Sequence, residues 1–158
     1  MYTLACTRFN DYTFNENERW RINNNMKGCI YNAPIRMNPN IPLETDVFVL
    51  EMNNTTNKVE GIGYIKNYIH TDKYYNIYDD KNYNRFTYKG RYRLNRNKLD
   101  NYEEKIIQIL DILLFKGSKH VKRGQGISKL PQWILKNKSF NFVNFCKTLF
   151  NKYHNIKI

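Results

Sequence analysis

Beyond Asp111 the chain has no aspartate or glutamate, while ten lysines and arginines follow. Long apolar runs are missing too. No stretch approaches the roughly 20 residues of a membrane helix, and Met1 is not followed by the basic-then-apolar start of a secretory signal. The chain is therefore expected to be soluble and intracellular, in the cytoplasm or nucleus of a host cell. Cysteine is scarce: Cys6, Cys29 and Cys146 are odd in number and widely spaced, with no CxxC pair. That spacing excludes a disulfide framework and a zinc knuckle, and it predicts buried free thiols in a reducing compartment. His70, His120 and His154 stand apart from one another, so neither a metal nor an organic cofactor is expected. The motifs of covalent and nucleotide chemistry are absent as well: no GxSxG, no Walker loop, no HExxH and no dinucleotide fingerprint. Acidic neighbours occur at Asp79–Asp80 and Glu103–Glu104, but adjacent side chains point apart in strand and helix, so neither is a natural acid/base couple. Glu103 and Glu104 read as charges at a helix start. These absences favour a binding protein over an enzyme.

What is present begins with enough apolar material to fold. The 158 residues are 41% hydrophobic and 15% aromatic, which predicts one domain with one core. Asparagine, tyrosine, lysine and isoleucine are over-used, as AT-rich codons would produce; a parasite or a large DNA virus has such a genome. Codon bias supplies lysines but does not place them. Residues 1–60 carry six basic and seven acidic side chains, whereas residues 61–158 carry twenty basic and seven acidic ones, for a net charge of +12. A field of one sign attracts polyanions. Nucleic acid is the expected partner, ahead of an acidic protein or a membrane surface; no segment is a basic amphipathic helix with an apolar face to spare.

Local patterns place the elements. Alternation over Met1–Thr7 predicts a first strand. Arg8–Asn25 reads as a polar loop with a short helix around Glu16–Ile22. Met26–Tyr31 is open between a short strand and a helical turn, and Pro34, Pro39 and Pro42 mark an extended connector. VFVLEM at 47–52, the turn residues 53–57 and KVEGIGYIK at 58–66 form a hairpin, in which Gly61 and Gly63 mark a bulge, a bend or a close backbone approach. FTYKGRYRL at 86–94 is a further strand broken by Gly90, with Arg91 and Arg93 on one face and Tyr92 and Leu94 on the other. YEEKIIQILDILLF at 102–115 is an amphipathic helix ended by Gly117. A basic helix at 139–153, capped by Ser139, closes the chain.

Two stretches carry candidate chemistry. KGSKHVKRGQG at 116–126 supplies Lys116, Lys119, Lys122 and Arg123 as phosphate donors. Its glycines let backbone N–H groups approach an anion, Gln125 can read a base edge, and His120 can stack or donate. Around the 85–96 strand lie Arg85, Tyr88, Arg91, Arg93 and Arg96. Trp20, Trp133 and the tyrosines at 74, 75, 78, 83, 88 and 92 are candidate stacking walls for a base.

The hairpin VFVLEMNNTTNKVEGIGYIKN followed by FTYKGRYRL resembles the central part of the PUA-like superfamily, which includes YTH, EVE and ASCH domains. The GIGYI return and the KRGQGI loop at Lys122–Ile127 are similar to YTH domains. The stretch around Trp20 and IPLETDVFV at 41–49 resemble EVE and ASCH patterns, where "GD" often stands in place of Thr45-Asp46. The resemblance covers residues 1–135. It implies an α+β fold, a curved β-barrel of five or six strands flanked by three to five helices. It further implies binding of RNA or single-stranded nucleic acid, with a methyladenine-like base in an aromatic pocket; Trp20 is the first wall, and Trp133 or a tyrosine the second. The alternatives are an ASCH-type nucleobase hydrolase or ribonuclease using Glu44, Asp46 or Lys66, and a viral protein that coats nucleic acid without sequence preference.

Overall fold

A computed structural model describes all residues, Met1–Ile158. Alternating apolar side chains on both faces of the central strands demand cover on both sides, and the fold supplies it. Strand β1 (Tyr2–Phe9) leads into helix α1 (Asp11–Asn23), then β2 (Cys29–Ala33). The hairpin is β3 (Asp46–Asn53) and β4 (Lys58–Lys66), followed by β5 (Phe86–Gly90) and β6 (Tyr92–Asn95). Helix α2 (Asn101–Phe115), the short β7 (Ser128–Lys129), a single turn α3 (Gln132–Leu135) and helix α4 (Phe142–His154) complete an α+β chain. The strands form a five-stranded sheet in the order β6-β4-β3-β1-β7 and a separate two-stranded sheet of β2 and β5. β1 and β3 are parallel; the other pairs are antiparallel.

The large sheet is the middle layer. Leu4, Cys6, Phe48, Leu50, Met52 and Ile62 face α2 and α4 in one apolar cluster, while Ala5, Phe9, Val47, Val49 and Ile65 face the β2–β5 ribbon and α1 in the other. The pairing of β3 with β4 shifts at Glu51/Met52, so Val59 pairs with Met52 and Gly61 with Glu51. Glu60 is the extra residue of this bulge, and it keeps Val59 and Ile62 on the same face despite their odd spacing. Gly63 marks a close approach, because a Cβ there would collide with the Tyr31 hydroxyl.

Four sequence expectations change. The five-stranded sheet is open, with β6 and β7 at its edges, so the strands do not close into a hydrogen-bonded barrel, and there are seven strands rather than five or six. The 86–94 segment is two strands: after Gly90 the chain leaves the small sheet for the edge of the large one. Helix α1 starts well before Glu16. Asn10 accepts a hydrogen bond from Thr13 N at 2.8 Å while Thr13 Oγ1 accepts from Asn10 N at 3.0 Å, a capping box. Helix α4 is capped by Asn141, not Ser139, and runs to His154. No helix is long and apolar enough to cross a membrane.

Candidate nucleic-acid interface

The basic loop is held in place rather than free. Arg8, at the end of β1, donates from Nε to Val121 O at 2.7 Å and from Nη1 to Ser128 Oγ at 2.7 Å. Asn54, in the β3–β4 turn, donates to Lys122 O at 2.9 Å, and Val121 N donates to Leu114 O at 2.8 Å. Gly124 and Gly126 have φ of +118° and +70°, values that side chains with a Cβ rarely adopt. The glycines of KRGQG thus serve a fixed backbone bend packed against Arg8.

That bend walls a cavity of about 310 Å³, lined by the end of β1 (Thr7, Arg8, Phe9), the start of α1 (Asn10, Thr13), Asn32 and Pro34, Asn54, Tyr78 and Tyr83, and Gly124 to Gly126. The hairpin turn is pinned beside it: Asn54 N donates to Phe9 O at 2.6 Å, and Asn53 Nδ2 to Asp11 Oδ1 at 2.8 Å. Several lining groups are already occupied. Asn32 donates to Tyr75 O and Asn84 Oδ1 and accepts from Thr87, while the Tyr78 hydroxyl accepts from Asn17. Asn54 Oδ1 is buried and has no partner. A buried acceptor left alone costs about 1–3 kcal/mol, so Asn54 is a lining residue with hydrogen-bonding capacity unused. Tyr83 and Gln125 are exposed at the rim. The lining includes no carboxylate, imidazole, thiol or lysine. It can hold a flat polar molecule by hydrogen bonds and ring contact.

Beside this cavity, joined to it through the Asn32–Asn84 hydrogen bond, lies a wider hollow of about 410 Å³ containing Arg36, His70, Lys73 and Arg85. Arg85 thus stands near the pocket, on the β5 side. The exposed loop cations Lys116, Lys119 and Arg123 and the half-buried Lys122 stand on the other side. His120 is partly spent, since its Nδ1 accepts from Lys122 N at 3.2 Å. Lys119 sits 5.6 Å from the centre of the Trp133 ring, which is 40% exposed.

Other expected site residues go elsewhere. Trp20 and Trp133 do not share the cavity. Trp20 is half-buried edge-on to Tyr75, with ring centres 5.8 Å apart, so its ring is taken up by packing. Tyr88 is buried and its hydroxyl accepts from Met37 N at 2.7 Å. Arg93 turns inward to Glu51, with Nη2 to Oε1 at 2.5 Å and side chains 7% and 2% exposed. Tyr31 donates to the other Glu51 oxygen at 2.6 Å. Burial penalises the Arg93 charge, and Glu51 more than restores it, so the guanidinium stays protonated. Arg96 is held by Glu104 and Asp111, both at 2.8 Å. Of the named strand arginines only Arg85 and Arg91 remain exposed. Glu44, Asp46 and Lys66 share a different hollow of about 360 Å³. There Lys66 pairs with Asp46 at 3.1 Å, and the hydrogen bond it donates to that carboxylate raises the lysine pKa, the opposite of what a catalytic amine needs.

The sequence reading missed Arg8, Asn10, Thr13, Asn32 and Asn54 and could not rank Tyr78 and Tyr83 among the tyrosines. The Asn10–Thr13 spacing is a helix-start signal that would have brought the end of β1 into view. Comparison with protein-family models, with curated proteins and with solved structures finds no match for the chain.

Proposed function

We propose that the protein binds RNA or another single-stranded nucleic acid, with one unstacked base in the Arg8–Asn54–Tyr83 cavity and flanking phosphates on the 116–126 loop. The observation that carries the reading is the packing of the basic glycine loop directly against a polar cavity. The volume of about 310 Å³ falls at the lower end of small-ligand sites, about 300–1,000 Å³. Asn54 Oδ1 supplies an acceptor for a base N–H or amino group, Gln125 an amide for a base edge, and Tyr83 a ring at the rim. Four of the 26 lysines and arginines pair with a carboxylate, and 22 do not. The reading keeps the function that the PUA-like resemblance implied, a modified base in an aromatic pocket, with Tyr78 and Tyr83 in place of Trp20 and Trp133. Substrate turnover at the Asp46–Lys66 hollow is the competing reading.

The test is a panel of labelled oligonucleotides, single- and double-stranded, methylated and plain. Tyr83→Ala and Gln125→Ala, both at exposed positions, should retain the fold and lose preference among bases while keeping most affinity for a long single strand. Equal affinity of the unaltered protein for every sequence and modification would instead assign it to sequence-independent coating.

A further inference from the structure

Helix α1 carries a second cationic hollow at its other end. Thr13 lines the base cavity, whereas Arg21 lines a separate cavity of about 350 Å³ with Lys27, Arg93, Leu94, Asn95, Lys98, Tyr153 and His154. Eight residues of helix separate Thr13 and Arg21, about 12 Å along the axis. The lining has four cationic side chains and a histidine and no carboxylate.

Arg21 is the unusual member. It is 9% exposed, its Nε donates to Asn17 Oδ1 at 2.9 Å, and its Nη2 is buried with no partner at all. Arg93 cannot relieve it, because a guanidinium has no acceptor to offer; its own N–H groups are donated to Glu51 and to Asn95 Oδ1. Burial lowers the Arg21 pKa, and the neighbouring Arg93 charge lowers it further. Glu51 and Glu18 oppose this only in part. Only Arg93 bonds to the buried Glu51 carboxylate, and Arg21 has no anionic partner, an arrangement that a bound anion would complete. Asn95 spends its carbonyl oxygen on Arg93, which leaves its amide nitrogen as a donor. Lys27 and Lys98 are exposed and can close over an anion from the solvent side.

We infer that the hollow formed by Arg21, Lys27, Asn95 and Lys98 is a second anion site that takes a phosphate group. A guanidinium matches a tetrahedral oxyanion in charge and in fork geometry, and two mobile ammonium groups serve its remaining oxygens. The group can come from a nucleotide or nucleic acid or from free phosphate. The site shares no lining residue with the base cavity, so its existence does not depend on that reading.

Thermal unfolding is followed with inorganic phosphate, with a mononucleoside 5′-phosphate, and with an oligonucleotide lacking terminal phosphates, each against chloride at matched ionic strength. A ligand that binds the folded state alone raises the midpoint. The full chain should be stabilised by several degrees in inorganic phosphate. Arg21→Gln should abolish the shift, and Lys27→Ala with Lys98→Ala should remove at least half of it. The paired lysine variant keeps the test valid if Arg21→Gln does not fold, because both lysines are exposed. A larger shift with the mononucleotide or the oligonucleotide assigns the phosphate to a nucleotide or a backbone diester; the largest shift with inorganic phosphate assigns it to the free ion. Absence of any shift, or the same shift in the lysine variant as in the unaltered chain, overturns the site. Loss of base preference in Tyr83→Ala with the phosphate shift intact separates the two cavities.

Discussion

Arg93 and Arg123 carry the same charge in the same basic half of the chain, and the fold puts them to opposite uses. Arg93, on an edge strand, reaches across β4 to Glu51 and is almost wholly buried, while Arg123, on the loop before β7, is exposed and pairs with no carboxylate. Arg96 and Lys152 follow Arg93: Arg96 ties the start of α2 to the sheet through Glu104 and Asp111, and Lys152 ties α4 to Asp100 and Glu103. Cations that meet an acid in space, wherever they stand in the sequence, hold the layers together, and those that do not, Arg123 among them, are left to solvent or an external anion. Net charge alone therefore overstates the binding surface.

The largest effect that would break this comparison is at the inner pair. Glu51→Ala leaves Arg93 and the Tyr31 hydroxyl buried without their partner and should cost about 3–5 kcal/mol in chemical denaturation. Glu51→Leu with Arg93→Met should recover much of it, because the uncompensated charge goes too. Next, Lys122→Ala with Arg123→Ala should change stability by no more than about 0.5 kcal/mol, since Asn54 holds the Lys122 backbone and not its side chain. The same variant should weaken single-stranded oligonucleotide binding several-fold and reduce the slope of log K against log salt by about 1.4, the loss of two phosphate contacts. An unchanged slope would remove the loop from the interface.

A smaller effect concerns pH. The Arg96 guanidinium holds the Glu104 carboxyl below its usual range, and the Glu103 backbone N–H does the same for Asp100. Their folded pKa values lie below the unfolded ones, so the stability they contribute is complete above the ordinary carboxylate value of about 4 and is lost as pH falls through the folded values. Thermal melts between about pH 6 and about pH 2 should show this loss, and Glu104→Gln should make it shallower. Smallest is the response to thiol reagents. Burial pushes Cys29 and Cys146 up to about 12 and raises Cys6, so alkylation of the native protein should proceed only as fast as it opens. Rapid labelling of Cys29 at neutral pH would show that the ribbon and the sheet separate readily.

The parts of the fold that were legible are those with short-range causes. The hairpin followed from a β-rich run and a turn, and α2 from its apolar stripe and acidic start. Gly61 and Gly63 left a bulge, a bend and a close approach open, and the structure has a bulge beside Gly61 and a close side-chain approach at Gly63. Helix α1 was obscured because its buried face includes Glu16, Asn17 and Arg21 rather than an apolar stripe. At the site, the loop 116–126 was legible from its cations and glycines. Its partner Arg8 was not, because the contact joins residues 113 positions apart.

By itself the sequence determined the first strand, the β3–β4 hairpin, helix α2 and the excess of positive charge after Asp111, because periodicity, turn chemistry and charge counts act over a few residues or need no geometry. Only the tertiary structure decided which arginines face inward, that the tyrosines at 78 and 83 and not the two tryptophans border the cavity, and that Arg21 has a donor to spare. Each of those outcomes depends on which distant side chain lies within about 3 Å, the reach of a hydrogen bond, and on how much water the surrounding layers exclude.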